Sequence, residues 1–368
     1  MKSIHKEAYL PPIITACCLT IGTAGLGLLG GATDTDRGTT GRPPVQSPVP
    51  TSIPPPVNES TTTVAIVDST TAPATTVSAT TTTISTDDFA SSFIDTNDLA
   101  AVKRAWTQAQ ERPRHRMDWT GSTSSCRAGD TSILFKTDVL TRVQWFRAMA
   151  GVSPAIHLDR ESSRLAQEAA LVMAAAGDLS HEPGESWPCY SEDAYTGASH
   201  SNLFLGVFGV DAIDGYIEDF GSDNLPVGHR RWILDPTLAS IGTGDTRRSN
   251  ALFVINDEIN EDAPVREPDG FVMWPPRGHV PRAQIYERWS VSHASADFSG
   301  ATVTVFHDGR TRIFREPHTD SEGYGGLNTL VFEWRRPSRG SGPVRVRVDG
   351  IELGGARLTL RYEVKPFG

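Results

Sequence analysis

The chain has 368 residues, a formal net charge of −10 and a hydrophobic fraction of 38%. Residues 33–88 hold 17 Thr, 8 Pro and no aromatic residue, so this tract cannot bury enough apolar surface to offset the entropy cost of folding. An acidic chain without a Lys/Arg block excludes a nucleic-acid partner, and four cysteines are too few for a disulfide scaffold. Folded structure is therefore expected within residues 89–368.

The first 32 residues have the pattern of a signal peptide or membrane anchor. Met1–Tyr9 carries two lysines, and residues 10–31 are uncharged. The small residues at 30–32 favour cleavage, whereas about 20 uncharged residues would also suffice for an uncleaved anchor. A lipoprotein signal at Cys17 is a less favoured third interpretation. All three predict a secreted or cell-surface protein that meets a membrane only through this segment, with residues 33–88 as a disordered Thr/Pro-rich linker.

The next elements in chain order are helices, predicted from apolar spacing, acidic starts and terminal glycines. The first lies in a helical preamble over residues 89–136, and the others lie in a domain predicted over residues 137–284. Thr137 or Asp138 is the expected N-cap of the second helix, and Asp159 that of the third. The predicted helices are Asp98–Glu111, Val139–Ala150, Leu158–Ala176 and Asp211–Phe220, followed by strands Leu252–Ile255 and Gly270–Met273 of a small sheet.

The pattern of residues 285–368 predicts short strands separated by glycine-rich turns. The runs VRVRV and LTLRYEV alternate apolar and polar residues with the period of two that a half-buried strand requires. This pattern predicts an immunoglobulin-like β-sandwich domain. Its expected strands are Trp289–Ser292, Ala301–Phe306, Thr311–Phe314, Thr329–Trp334, Val344–Val348 and Leu358–Val364.

Three motifs between residues 177 and 246 carry the most information. They are Leu179-Ser180-His181 after the third helix, the run SNLFLG from Ser201, and the run VGHRRWILDP from Val227, which is followed by IGTG from Ile241. In this order and spacing they resemble the bacterial members of the CAP superfamily, also called SCP domains. The resemblance covers about residues 138–273 and implies an α-β-α sandwich within an α+β chain.

The resemblance also implies a cleft with two histidines and two acidic residues. His181 and His229 fall on the histidine positions, and Asn202 on the amide of the second motif. Ser201 stands where the family has an acidic residue. The second acidic position falls in the loop after His181, where Glu182, Glu185 and Glu192 are candidates and Glu192 is favoured.

Two imidazoles with a carboxylate would suit a divalent metal such as zinc, or general acid–base chemistry. Alternatively, both histidines are structural groups that fix the loops by hydrogen bonds. The adjacent Arg230-Arg231 pair would attract an anionic ligand or make surface ion pairs. No cofactor is firmly predicted, and the oligomeric state stays open.

Cys126 and Cys189 are expected to form a disulfide, because an exported cysteine pair meets an oxidising compartment. The favoured function is a non-enzymatic extracellular module that binds a lipid-like or cell-wall ligand in the two-histidine cleft, since lipid binding recurs among the proteins it resembles. The alternatives are a metal-assisted hydrolase of peptides or wall polymers, which Ser201 disfavours, and a structural or adhesive surface protein.

Overall fold

The computed structural model describes residues 92–111, 114–267, 269–321, 324–340 and 342–368. The predicted export segment and the Thr/Pro tract lie outside these ranges. Within them, no helix combines the length and apolar character needed to cross a membrane.

The described chain is α+β, with helices concentrated before residue 234 and strands after it. The helices are α1 (Leu99–Glu111), α2 (Ile133–Ala150), α3 (Arg160–Ala176), α4 (Glu192–Ser199), α5 (Val210–Glu218) and α6 (Gly228–Ile233). The first strands are β1 (His157–Leu158), β2 (Ser201–Leu205), β3 (Ser240–Asp245), β4 (Ser249–Phe253), β5 (Val272–Trp274) and β6 (Gly278–Pro281). The later strands are β7 (Arg288–His293), β8 (Thr302–His307), β9 (Arg310–Phe314), β10 (His318–Asp320), β11 (Asn328–Glu333), β12 (Val344–Leu353) and β13 (Ala356–Phe367).

The helix ends show where local chemistry was predicted correctly and where it was not. Asp159 caps α3 as expected, because its carboxylate accepts the backbone N–H of Ser162 at 2.7 Å. The expected cap of α2 at Thr137 or Asp138 is wrong: the helix begins at Ile133, and the Ser132 hydroxyl accepts the N–H of Phe135 at 3.3 Å. Sequence spacing missed the first turn because its apolar residues, Ile133 and Leu134, are exposed and lie off the buried stripe.

Two further helices and one helix end differ from the sequence expectation. The short helices α4 and α6 were not predicted. Helix α5 ends at Glu218 instead of Phe220, since Asp219 adopts a left-handed conformation with φ of 55°. That early end turns the Asp219 side chain away from the helix axis and toward the segment that follows.

A four-stranded sheet in the order β1-β3-β4-β2 organises the first part. Alternate residues of β4 point to opposite faces: Ala251 and Phe253 pack with α3 and α4, whereas Leu252 packs in the core that includes α2 and α5. Gly242 and Gly244 of β3 leave no room for a Cβ, because the backbone of α3 lies directly against them. The IGTG run therefore allows close approach of helix and sheet.

The C-terminal part is β-rich, with a four-stranded sheet, β10-β11-β7-β5, and a five-stranded sheet, β6-β13-β12-β8-β9. Their inner faces share one apolar core, which includes Trp289, Phe332 and the inward valines of β8 and β12. Strands β5 and β6 precede residue 285 yet belong to these sheets. The segment around Gly270–Met273, expected in a small sheet with Leu252–Ile255, instead pairs with β7.

The four-stranded sheet also packs against the helical part on its other face. Trp274 of β5 meets Phe146 of α2 edge-on, with ring centroids 5.1 Å apart. Val272, Tyr286 and Leu327 join the same apolar cluster as α2 and α5. The two parts of the chain thus share buried surface, to which Phe367 at the end of β13 also contributes.

The predicted disulfide between Cys126 and Cys189 is confirmed, with an S–S distance of 2.10 Å and a sequence separation of 63. It ties the segment before α2 to the loop between α3 and α4. That loop contains His181, so the crosslink restrains one side of the predicted cleft.

We expect the double variant Cys126→Ser/Cys189→Ser to be less stable by about 4 kcal/mol, because a loop of this length regains closure entropy in the unfolded chain. Urea unfolding followed by tryptophan fluorescence measures the difference. The urea midpoint of the wild-type protein in reductant should fall to that of the double variant. Equal midpoints for the oxidised wild type and the double variant would contradict the expectation.

Candidate functional site

His181 lies in the loop after α3 and is held by helix α4. Its Nδ1 is 3.0 Å from the carbonyl oxygen of Ala198. A carbonyl only accepts, so Nδ1 carries the proton and Nε2 keeps the lone pair of the neutral ring. Burial lowers the pKa of His181 below its usual value, and the charge of His229 lowers it further. The two residues that contact the histidine segments, Ala198 beside His181 and Asn202 beside His229, lie four positions apart where α4 leads into β2.

His229 is the second residue of α6 and is oriented by a buried carboxylate. Its Nδ1 lies 2.7 Å from Oδ1 of Asp219, whose side chain is fully buried. The other oxygen of Asp219 accepts the backbone N–H of Arg230 at 3.2 Å. The imidazole also stacks on Tyr216, with ring centroids 5.4 Å apart and planes at 25°. With Nδ1 bound in this way, Nε2 is again the nitrogen left to meet a ligand.

Asn202 and Tyr216 join the two sides of the site. The Asn202 amide donates to the carbonyl of His229 at 3.1 Å, and the Tyr216 hydroxyl donates to the carbonyl of Asn202 at 2.9 Å. Neighbouring Ser201 is buried, and its hydroxyl has no hydrogen-bond partner within the described ranges. This strand therefore supplies an amide fixed by a hydrogen bond and a buried hydroxyl at the position where the family has an acidic residue.

Glu192, the favoured acidic candidate, lies at the exposed start of α4. Its recorded partner is the Tyr190 hydroxyl at 3.2 Å, and no described contact joins it to either histidine. The carboxylate beside the histidines is Asp219, which sequence reasoning missed. Asp219 lies ten residues before His229 in the sequence. The helix predicted over Asp211–Phe220 included Asp219, so nothing in the sequence indicated that this residue turns toward α6.

Arg230 and Arg231 are buried, so both expectations for this pair, an attraction for an anionic ligand and ion pairs at the surface, are wrong. Arg230 donates to the carbonyls of Ile217 and Glu218 and to the hydroxyl of Ser290. Arg231 donates to Asp320 at 2.9 Å and to the carbonyl of Leu327 at 2.6 Å. Both side chains therefore fasten α6 to the β-rich part, and burial lowers the pKa of Arg230 to about 10.

The β-rich part contributes an aromatic side chain to the same helix. Tyr324 lies over Gly228, where a Cβ would collide with its ring. The Arg231 guanidinium sits 5.0 Å from the centroid of that ring. Burial raises the pKa of Tyr324, with smaller contributions from Asp320 and Asp219. Tyr324 therefore packs against the first residue of α6, next to His229, a position that no local motif could have indicated.

The donor set around the histidines is small for a metal. Among the described residues, no group of three or more His, Cys, Asp and Glu side chains is arranged to hold an ion. Catalytic zinc sites use three protein ligands, and here the nearest carboxylate, Asp219, is taken up by Nδ1 of His229 and the N–H of Arg230. We therefore derive no step through a metal.

Comparison with known protein families finds a match over the segment that contains both histidines. Residues 140–256 match the family model described as CAP, the cysteine-rich secretory protein family. The match supports a CAP domain over this segment, which contains both histidines, Asp219 and Asn202. Neither the curated proteins nor the solved structures include a significant match to the chain.

We expect the pKa of His181, followed by NMR titration of its ring protons, to lie below 6.5. It should rise in His229→Gln, which removes the neighbouring positive charge, and stay unchanged in the control His157→Gln at the exposed sheet edge. The unfolded chain protonates this imidazole at a higher pH than the folded protein does. The contribution of His181 to stability therefore falls as the pH drops below 6.5. An unchanged pKa in His229→Gln would contradict the proximity of the rings.

Asp219→Asn should lower the free energy of unfolding by about 1–3 kcal/mol. Both partners of Asp219 are N–H donors, and an amide offers only one acceptor oxygen in place of two. Urea unfolding gives the stability, and ¹⁵N shifts of His229 report a change of tautomer. Asp223→Asn, at an exposed position, serves as the matched control; an equal effect in both variants would contradict the role of Asp219.

Proposed function

We propose that this is an exported protein whose CAP domain binds a ligand, without chemical conversion, in a cleft around His181 and His229. One observation carries the proposal: each imidazole is fixed through Nδ1 by a protein acceptor, which leaves the Nε2 atom of each ring as its available polar group. A pre-oriented pair of this kind loses little entropy when it binds the polar end of a ligand.

The class of ligand rests on the CAP match and on the resemblance described above. A lipid-like or cell-wall-derived molecule would place its polar group at the imidazoles and its apolar body along the aromatic side chains nearby. Tyr216 is fully buried and supports His229 from the core side, so the partly exposed aromatic ring beside this helix is that of Tyr324, from the β-rich part. Aromatic rings combine apolar surface with a polar end, which suits an amphipathic ligand.

Export is supported by the disulfide and by the N-terminal sequence pattern. A crosslink between two distant cysteines persists in an oxidising compartment and is rare in the cytosol. The uncharged run after the N-terminal lysines has the pattern of an export signal. The Thr/Pro tract would then hold the folded part away from the cell surface.

The hydrolase alternative has one feature in its favour, the carboxylate that orients His229. The same arrangement assists a general base in catalysis. Of the two acidic positions that the resemblance implies, one holds Ser201, which is buried, and the favoured residue for the other, Glu192, is exposed at the start of α4. Without a second acid or a third metal ligand near the histidines among the described residues, binding is the function that the arrangement supports better.

The test is to express the protein in a host that exports it, purify it, and extract the bound small molecules for mass spectrometry. We expect a lipid-like or wall-derived molecule in the wild type and its loss, by tenfold or more, in His181→Ala and His229→Ala. His157→Ala should retain it. Metal analysis of the same samples addresses the alternative: stoichiometric zinc that disappears in both site variants would overturn the non-metal proposal, and equal ligand content in all variants would place binding elsewhere.

A further inference from the structure

A second candidate site lies on the outer face of the five-stranded sheet, far along the chain from the CAP match. A groove of about 580 Å³ runs across strands β8, β12, β13 and β6. Its charged lining consists of five basic side chains and one acidic side chain: Arg277, Arg345, Arg347, Arg361, Lys365 and Glu363. This local excess of positive charge contrasts with the net charge of −10 for the whole chain.

Strand alternation builds the groove. In β12 the valines at 344, 346 and 348 point into the core, so Arg345 and Arg347 point outward. In β13, Tyr362 and Val364 are buried, so Arg361, Glu363 and Lys365 share the outward face. Because β12 and β13 are paired antiparallel neighbours, the two outward rows meet on one surface.

The pairing places like charges opposite each other. Arg347 is the direct cross-strand partner of Arg361, an arrangement that destabilises a sheet unless an anion offsets it. Arg345 is 3.4 Å from Glu363, Arg347 is 2.8 Å from Asp349 and Arg277 is 3.1 Å from Glu267, so the charge of these three arginines is partly balanced. For Arg361 and Lys365 no ion pair is formed within the described ranges, and their charges remain available to a ligand.

The positive surface continues past the groove to helix α1. Lys103 of α1 lies with its Nζ 6.0 Å from the ring centroid of Phe367, two residues beyond Lys365 on β13. After the effect of burial, the charges of Lys365 and Lys103 lower the pKa of His279 on β6, and that of Asp98 raises it, so one carboxylate accompanies the basic groups here. The strip therefore extends from β12 to α1. Four adjacent strands span about 14 Å, which is long enough for several repeating units of a polymer rather than one small ion.

We propose that this groove binds an anionic polysaccharide or related polyol polymer whose carboxylate or phosphate groups recur along the chain. Guanidinium groups recognise both kinds of anion through paired hydrogen bonds. Phe306, the cross-strand neighbour of Arg345, is 39% exposed and offers an apolar surface on which a sugar ring packs. Tyr362, the other aromatic residue of the lining, is buried, so the groove lacks the series of exposed stacking rings that single-stranded nucleic acid requires.

The binding test uses the full chain with polygalacturonate as the carboxylate probe, a glycerol phosphate polymer as the phosphate probe and neutral dextran as the uncharged control. Calorimetry at low salt should detect binding to at least one polyanion and none to dextran. Affinity should fall as salt increases, because the contacts are between charges. A preference between the two polyanions identifies the anionic group.

The matched variants are Arg347→Gln/Arg361→Gln in the groove and Arg310→Gln/Arg357→Gln at exposed positions outside it. We expect the groove variant to lose affinity at least tenfold and the control, which has the same net charge, to stay within twofold. Equal losses in both variants, or no binding to either polyanion by the wild type, would overturn the proposal. Tighter binding to a single-stranded DNA oligomer would overturn the ligand class.

A thermal measurement separates loss of binding from loss of folding. Because Arg347 and Arg361 repel each other, the groove variant should melt at the same temperature as the wild type or above it when no polyanion is present. Added polyanion should raise the melting temperature of the wild type and leave that of the groove variant unchanged. If the polyanion raised the melting temperatures of the wild type and the groove variant equally, that result would also contradict binding in the groove.

Discussion

Buried guanidinium groups hold helix α6 in place, and the candidate site depends on that helix. Arg147 of α2 is fully buried and donates to the carbonyls of Ser153, Ile233 and Asp235, at 2.7–2.8 Å. Burial lowers the pKa of Arg147 to about 10, so it keeps its charge at neutral pH. A buried charge is tolerated only when it is saturated with hydrogen bonds, and these carbonyls supply them. The geometry of the loop after α6 is therefore fixed from inside the core.

The same principle joins the CAP domain to the β-rich part. Arg230 and Arg231 follow His229 directly, and their guanidinium groups donate hydrogen bonds to residues from both parts of the chain. Arg288 of β7 reaches back to the carbonyls of Asp219 and Gly221, at the end of α5. The carboxylate that orients His229 thus belongs to a residue whose backbone is held by the other part. We infer that the β-rich part supports the site as well as flanking it.

Local features of the site could be predicted from sequence only where one short segment contains the signal. The histidines were found because each sits in a motif whose order and spacing resemble the CAP family. Asp219 was missed because its role depends on the left-handed turn that ends α5 and on the distance to α6. Glu192 was chosen by its position in a loop, which does not determine the direction in which a side chain points. Tyr324 comes from a distant part of the chain, and no local pattern identifies it.

The sequence by itself determined the α+β class, the cap of α3, the disulfide partners and the period of two in β12 and β13, because each depends on neighbouring residues or on cysteine number and compartment. Only the tertiary structure decided that Arg230 and Arg231 are buried, since burial depends on what packs over α6. It also decided that the outward arginines of β12 and β13 share one surface. Net charge averages over the whole chain, whereas strand pairing places Arg347 opposite Arg361 and creates a basic groove on an acidic protein.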